Sequence, residues 1–236
     1  MVNYMKELIK CHLNYLFSKR TIIVSLIVLF FILISNLVNI INIDLNLGYK
    51  ENNYLYFYNS FLLTKIIIVI YAIFIFGYSF LEKSEQYVII IIASGVPRIK
   101  VIISKLVSLI FVLFLINYYA YFLYAVFGYT FYKDFIFMRI YLYSYTSLLF
   151  LSLFYGLLSV LLIQYFKSIY LLLIPFGLYN FSEIINDEIN WFIKIINLIV
   201  PHFQKKLTYF YGIIHIVILI IILLVFNINY YLQKDL

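Results

Sequence analysis

The sequence predicts an all-α, polytopic membrane protein with six transmembrane helices. Three observations predict it. Of 236 residues, 66% are hydrophobic and only 11% are charged, whereas soluble domains are about 25% charged. Apolar runs close to the ~20 residues that cross the hydrocarbon core as a helix recur along the chain, and helices satisfy their own backbone groups in lipid. What remains is divided among tails and short loops, with no stretch of the ~100 residues that an ordinary soluble domain needs. Residues 1–236 therefore read as a single transmembrane domain.

Residues 2–18 form an amphipathic helix: Val2, Met5, Leu8, Ile9, His12 and Leu16 fall on one face, and Asn3, Lys6, Glu7, Lys10 and Asn14 on the other. With Lys19 and Arg20 this makes an interfacial helix over residues 1–20, leading into an uncleaved first span at 21–41. Residues 42–59 form a polar outer loop, and the second span follows at 60–81 with Lys65 near its outer end, able to snorkel outward.

The segment 82–105, EKSEQYVIIIIASGVPRIKVIISK, is the longest charged connection on the inner side. Its apolar centre, Val88–Ile92, is too short to cross a bilayer and suits an interface or a protein groove. Gly95 supplies a left-handed helix stop, and Pro97 suits the first turn of a new helix. The expected order is helix, short crosswise helix, turn, helix; an ordinary solvated loop is the plain alternative.

The third span is expected at 106–128 and the fourth at 140–163, with a tight inner turn at 164–168. The fifth, at 169–181, is short and interrupted by Pro175 and Gly177. It leads into a broken outer segment over 182–208, anchored by Trp191. The sixth is expected at 209–229. An even number of spans puts both termini on one side. That side then carries ten of the 17 Lys and Arg, a weak bias in the inward direction. A seven-span rival raises the bias but puts Lys194 in the middle of a 13-residue span, which is expensive.

The formal charge of +7 reports topology here and points to no nucleic-acid partner. A single cysteine, Cys11, excludes an internal disulfide. There is no phosphate-cradling GxxxxGK[ST], and no HExxH, CxxC, GxSxG or EF-hand pattern. Glu82/Glu85 and Asp187/Glu188 pair carboxylates in connecting segments, where contact or solvation suits them better than acid–base work. His215, inside the sixth span, reads as a hydrogen-bonded structural histidine. Catalytic and metal-ligating residues are therefore not expected. Two polar stripes remain: Asn117, Tyr121 and Tyr124 on the third span, and Tyr145, Ser152 and Tyr155 on the fourth. They line either a substrate path or a helix–helix contact, and packing is the simpler reading. The inner thirds of the spans lack acids, so any transport would be powered from outside the membrane.

This order of parts resembles, over nearly the whole chain, the permease subunit of type-2 ABC transporters, an exporter family. Glu82-Lys83-x-Glu85, the apolar Val88–Ile92, Pro97-Arg98 and Lys105 match the family's central stretch in order. Gln86-Tyr87 departs from it, standing where Gly-Thr is common, and Pro97 abuts Arg98 directly. The short loops resemble permeases of peptide export and lantibiotic immunity. The resemblance implies a cytosolic coupling helix between the second and third spans, with Glu82, Glu85, Val88, Ile90, Ile91, Pro97 and Arg98 as ATPase-coupling residues. It further implies a separate cytosolic ATPase subunit that binds ATP and Mg, and a second permease copy or paralogue completing the path. Both termini would be cytosolic, in a multi-pass protein of the cell membrane surrounded by lipid. The rival class is a non-transporting membrane immunity or assembly factor.

Overall fold

The computed structural model describes residues 2–16, 19–41, 49–132, 138–184 and 209–233, and among these every regular element is helical. In chain order they are α1 (Val2–Leu16), α2 (Lys19–Ile41), α3 (Tyr49–Ser79), α4 (Glu82–Ala93), α5 (Arg98–Tyr132) and α6 (Met138–Phe166). A 3-10 turn (Ile169–Leu172), α7 (Leu173–Ile184) and α8 (Tyr209–Gln233) follow. Five of the described helices, α2, α3, α5, α6 and α8, are long and apolar enough to cross a membrane. The fold is thus that of a polytopic, membrane-embedded helical protein. The expected fifth span is shorter, at Ile169–Phe181. A change from 3-10 to α-helix between Leu172 and Leu173 interrupts it, just before Pro175. The residue sits in the first turn of α7, where its missing N–H has no helical partner to lose.

The long helices run past their expected spans, α3 and α5 by the most. At 1.5 Å per residue, the 31-residue α3 is about 46 Å long and the 35-residue α5 about 52 Å, well beyond a hydrocarbon core of about 30 Å. Residues 49–59, expected in a polar loop, are the first turns of α3. This explains a second correction. Lys65 lies four turns into α3 and is buried within the bundle rather than exposed at its outer end. Likewise Gln164, expected in the inner turn, is buried within α6, and the turn itself is made at Lys167 with φ +55°. The outer segment with Trp191 and Lys194 falls outside the described residues.

α3 and α6 form the centre, and α2 and α8 lie on the periphery with their apolar faces exposed. Between lipid-facing helices there is no hydrophobic driving force, so close packing and interhelical hydrogen bonds must hold them. Both are visible. Gly156 of α6 receives the ring of Phe76, so closely that a Cβ there would stand 2.9 Å from its Cγ. Beside it, Ser159 Oγ donates to the Ile73 carbonyl at 3.0 Å. Asn227 Nδ2 of α8 donates to the Leu157 carbonyl of α6 at 3.1 Å, and Asn117 Nδ2 of α5 to the Tyr145 carbonyl of α6 at 2.8 Å. On α2, Asn36 accepts from Tyr56 at 2.7 Å, and Ser25 pairs with Tyr71 at 2.9 Å.

Contacts fix which helix ends lie together. Arg98, opening α5, reaches Leu232 near the end of α8. The Tyr165 and Tyr230 rings lie 4.2 Å apart, and Ser108 of α5 reaches the Ile9 carbonyl of α1. The N-terminal helix, α4 and the end of α8 therefore share one end of the bundle, here called the near end.

Gly156→Leu should destabilise the bundle by about 1–3 kcal/mol, because Phe76 has no room to retreat without displacing α3. The midpoint of unfolding in mixed detergent checks this, with an exposed substitution such as Phe226→Leu on α8 as the unaffected control.

Candidate functional site

The site is α4 with its two joints. α4 starts after Leu81, whose extended backbone (φ −68°, ψ 150°) ends the run from α3, and no side chain caps its first turn. Glu82 and Glu85 fall within its first four residues. The C-terminus closes by three hydrogen bonds. Ser94 N–H donates to the Ile90 carbonyl at 3.1 Å, Gly95 N–H to that of Ile92 at 2.9 Å, and Ser94 Oγ to that of Ile91 at 2.7 Å. Gly95 adopts φ +89°, a conformation that costs a residue with a Cβ about 1–2 kcal/mol. Pro97 then sits one position earlier than expected. Its carbonyl accepts from the Lys100 N–H at 2.9 Å, so it caps α5 from just outside the first turn. The short helix and the glycine stop expected between Glu82 and Pro97 are thus present.

The apolar centre of α4 is divided between two surfaces. Val88 is fully buried, whereas Ile90 is 71% exposed and Ile89 46% exposed. Ile91 and Ile92 lie between, partly buried against the core. One side of α4 is therefore seated on the bundle, and its neighbours there include α3 and α5. The other side offers isoleucines outward.

Around the joints lies a polar clamp that the sequence did not reveal. Lys105, expected at the end of the charged connection where the third span opens, is buried in the second turn of α5, with its Nζ 4.0 Å from the centre of the Phe80 ring. A desolvated cation over an aromatic face is worth about 2 kcal/mol. It ties the start of α5 to the end of α3, the two points from which α4 hangs. His12 packs into the same place from α1, fully buried with Leu8 and Leu16. The apolar face of α1 thus docks on α5 rather than on lipid alone. Burial, the nearby Lys105 cation and, in opposition, a hydrogen bond to the Val101 backbone set the His12 pKa, with the net effect of lowering it from 6.5 to about 4. Arg98 is likewise engaged within the chain: its guanidinium reaches the Leu232 carbonyl at 3.5 Å, in the last turn of α8, where the helix dipole favours a cation. His12 is signalled by its place on the apolar face of α1; for Lys105 and Arg98 the only signal is their position near the start of α5.

The residues of the two polar stripes fall into separate groups. Asn117, Tyr121, Tyr124 and Tyr145 gather at the end of the bundle remote from α4. Tyr124 stacks with Tyr56 at 5.4 Å and meets Tyr141 edge-on at 4.6 Å, while Tyr121 meets Tyr145 at 5.6 Å. Phe57 and Phe61 of α3 complete the cluster. Ser152 donates to the Leu149 carbonyl of its own helix, and Tyr155 packs edge-on against Tyr179 of α7 at 5.4 Å. Except for the half-buried Tyr121, all are buried inside one chain's bundle. Among the described residues, no three His, Cys, Asp or Glu side chains gather as a metal site. The chemistry on offer at α4 is mechanical: a short helix with an apolar outer face, cross-braced to three spans.

Compared with known proteins, the chain matches no family model, no curated protein and no solved structure.

The lowered His12 pKa has a defined sign. Between pH 6.5 and about 4 the undocked α1 binds a proton that the docked form refuses, so docking weakens as the pH falls through that window and is constant above it. Amide exchange over residues 2–16 should accelerate when the pH is lowered from 7 to 5, after correction for intrinsic exchange. His12→Gln should remove that dependence.

Proposed function

We propose that the chain is the membrane-spanning half-pore of an ATP-driven exporter, moved through α4 by a separate cytosolic ATPase subunit. The observation that carries the reading is the outward pair Ile89 and Ile90 on a 12-residue helix at the near end. An exposed isoleucine on a solvent-side helix needs a cover. A groove in a soluble partner supplies one, with Glu82 and Glu85 at its rim. Nucleotide-driven movement of that partner would push α4. The push would reach α3 through Leu81 and Phe80, α5 through Pro97, and α8 through Arg98. ATP and Mg would be held by the partner. The near end and both termini would face the cytosol of a cell-membrane protein. A second copy or a paralogue would complete the path for an amphipathic or hydrophobic substrate, a peptide or a lipid. Spans with few charges suit such a substrate better than a small ion.

One observation favours the second reading, a non-transporting immunity or assembly factor. The tyrosines that could have lined a path are almost all turned inward against their own bundle. On that reading α4 docks a partner without moving the spans.

Covering one isoleucine contributes about 1.5–3 kcal/mol and an exposed rim ion pair about 0–1 kcal/mol. Ile90→Asp should therefore weaken binding of the ATPase, or uncouple its hydrolysis from transport, while the chain still inserts. Glu85→Gln should act mildly. Ile91→Asp should do both more and less specific damage, since Ile91 also packs on the core. Partner pull-down and substrate-stimulated ATP hydrolysis by the reconstituted pair would be compared. Full binding and full stimulation in Ile90→Asp would reduce α4 to a connecting loop.

Sidedness is tested separately. In a Cys11→Ser background, a membrane-impermeant thiol reagent added outside intact cells should label Tyr54→Cys and Lys205→Cys but not Ser94→Cys. Labelling of Ser94→Cys from outside would invert the topology.

A further inference from the structure

Where α3, α5 and α6 pack together, buried polar atoms from all three helices lack a hydrogen-bond partner in the protein. They are Ser60 Oγ and Thr64 Oγ1 of α3, Asn117 Oδ1 of α5 and the Tyr145 hydroxyl of α6. Ser60 and Thr64 are fully buried, Tyr145 is 2% exposed and Asn117 6%. In an apolar helix a serine or threonine ordinarily turns back to a carbonyl three or four residues earlier. Ser79, Ser108, Thr146 and Ser159 do so, at 2.6–2.8 Å. Ser60 and Thr64 do not, although each has such a carbonyl one turn before it on α3. A hydroxyl or amide oxygen left dry at this depth carries the full cost of its lost hydration.

Contacts on either side bring these groups to one level of the bundle. α3 and α5 run in opposite directions, since α4 joins the end of one to the start of the other. Tyr56 stacks on Tyr124 at 5.4 Å. One turn on from Tyr56 is Ser60 and one turn back from Tyr124 is the small Ala120; a further turn brings Thr64 to the level of Ile116 and Asn117. Phe61, between the two hydroxyls, meets the Tyr145 ring at 5.4 Å, and Asn117 Nδ2 already donates to the Tyr145 carbonyl.

The chemistry of the level is neutral. No Asp or Glu occurs in 52–81, 98–132 or 138–166, and Lys65, next to Thr64, is itself buried. A metal cation would find oxygens here but no counter-charge. The hydroxyls can donate or accept, whereas the Asn117 oxygen only accepts. An uncharged ligand that both donates and accepts fits this set.

We infer that this level is an internal hydration site, with ordered water held by Ser60, Thr64, Asn117 and Tyr145 between α3, α5 and α6. Residues four apart on a helix have their Cβ atoms about 5–6 Å from each other, so one water about 2.8 Å from each hydroxyl can serve both Ser60 and Thr64. Buried waters typically make about three hydrogen bonds to groups that are otherwise unsatisfied. Water thus supplies at this level the polar joint between α3 and α5 that the four side chains do not make with one another.

The test is solid-state magnetic resonance on the full chain, reconstituted in phosphatidylcholine bilayers with deuterated acyl chains. Magnetisation transferred from water should reach Thr64 and Asn117 faster than Ser159, an equally buried serine whose hydroxyl is bonded to backbone carbonyls. Thr64→Val keeps the shape of the side chain and removes the hydroxyl. It should slow the transfer to Asn117 and raise the equilibrium constant for unfolding in mixed detergent about fivefold, because a water-mediated bond is lost. A dry hydroxyl would give the opposite sign, since removing it would relieve the cost of burying it. Transfer to Thr64 and Asn117 no faster than to Ser159 overturns the site without recourse to any variant. A Thr64→Val chain as stable as the unaltered one, or more stable, overturns it as well.

Discussion

The seam between α3 and α6 is the constraint on which the structure depends. In lipid, apolar side chains gain nothing by leaving their surroundings for one another, so two helices stay together only where their backbones approach closely or their polar groups meet. Here Gly156 admits Phe76, and Ser159 holds the Ile73 carbonyl. Among the described residues, the remaining spans attach to this pair by polar fasteners: Asn36 and Ser25 from α2, Asn117 from α5 and Asn227 from α8. A bundle joined in this way can be firm at its centre and still let a peripheral helix shift, because each outer joint consists of a few polar contacts and a strip of packing.

At the near end the joints are of a different kind. Lys105 over Phe80 and Arg98 at Leu232 are cationic contacts between helix ends, and both flank α4. A force on α4 would therefore not be absorbed by loose loops. It would pass into α3, α5 and α8 together, while α1, docked over Lys105 through His12, holds the start of α5 from the other side. This cross-bracing suits a lever, and it serves a static docking platform equally well; whether α4 moves separates the two functional readings.

Much of this was legible from local signals. Run length and composition gave the long spans, and the Ser94–Gly95–Pro97 sequence gave the end of α4 and the start of α5, because stop and start chemistry is confined to a few residues. The face of α1 was visible too, since Leu8, His12 and Leu16 recur at helical spacing and are the residues buried. What failed to show was long-range. Nothing near Lys65 or Lys105 in the chain announces that each is buried, because the groups surrounding them come from other helices. Residues 49–59 look like a loop by polarity, yet continue α3, because a helix that extends past the hydrocarbon core has no need of apolar residues there. The tyrosine stripes were readable as faces, but only packing reveals that Tyr124 and Tyr145 face Phe57, Phe61 and each other. The division of Val88–Ile92 into a buried and an exposed side likewise follows from how α4 sits, not from its composition.

The central claim is that the outer face of α4, and not its seated face, meets a soluble ATPase. Site-specific photo-crosslinking in cells tests it most directly, with a photoreactive amino acid placed at position 90 in one version of the chain and at position 88 in another. The account predicts that position 90 yields an adduct with a nucleotide-binding protein, and that position 88 yields only crosslinks within the chain. An adduct of position 90 with lipid alone, or capture of the same ATPase with equal yield from both positions, would contradict it.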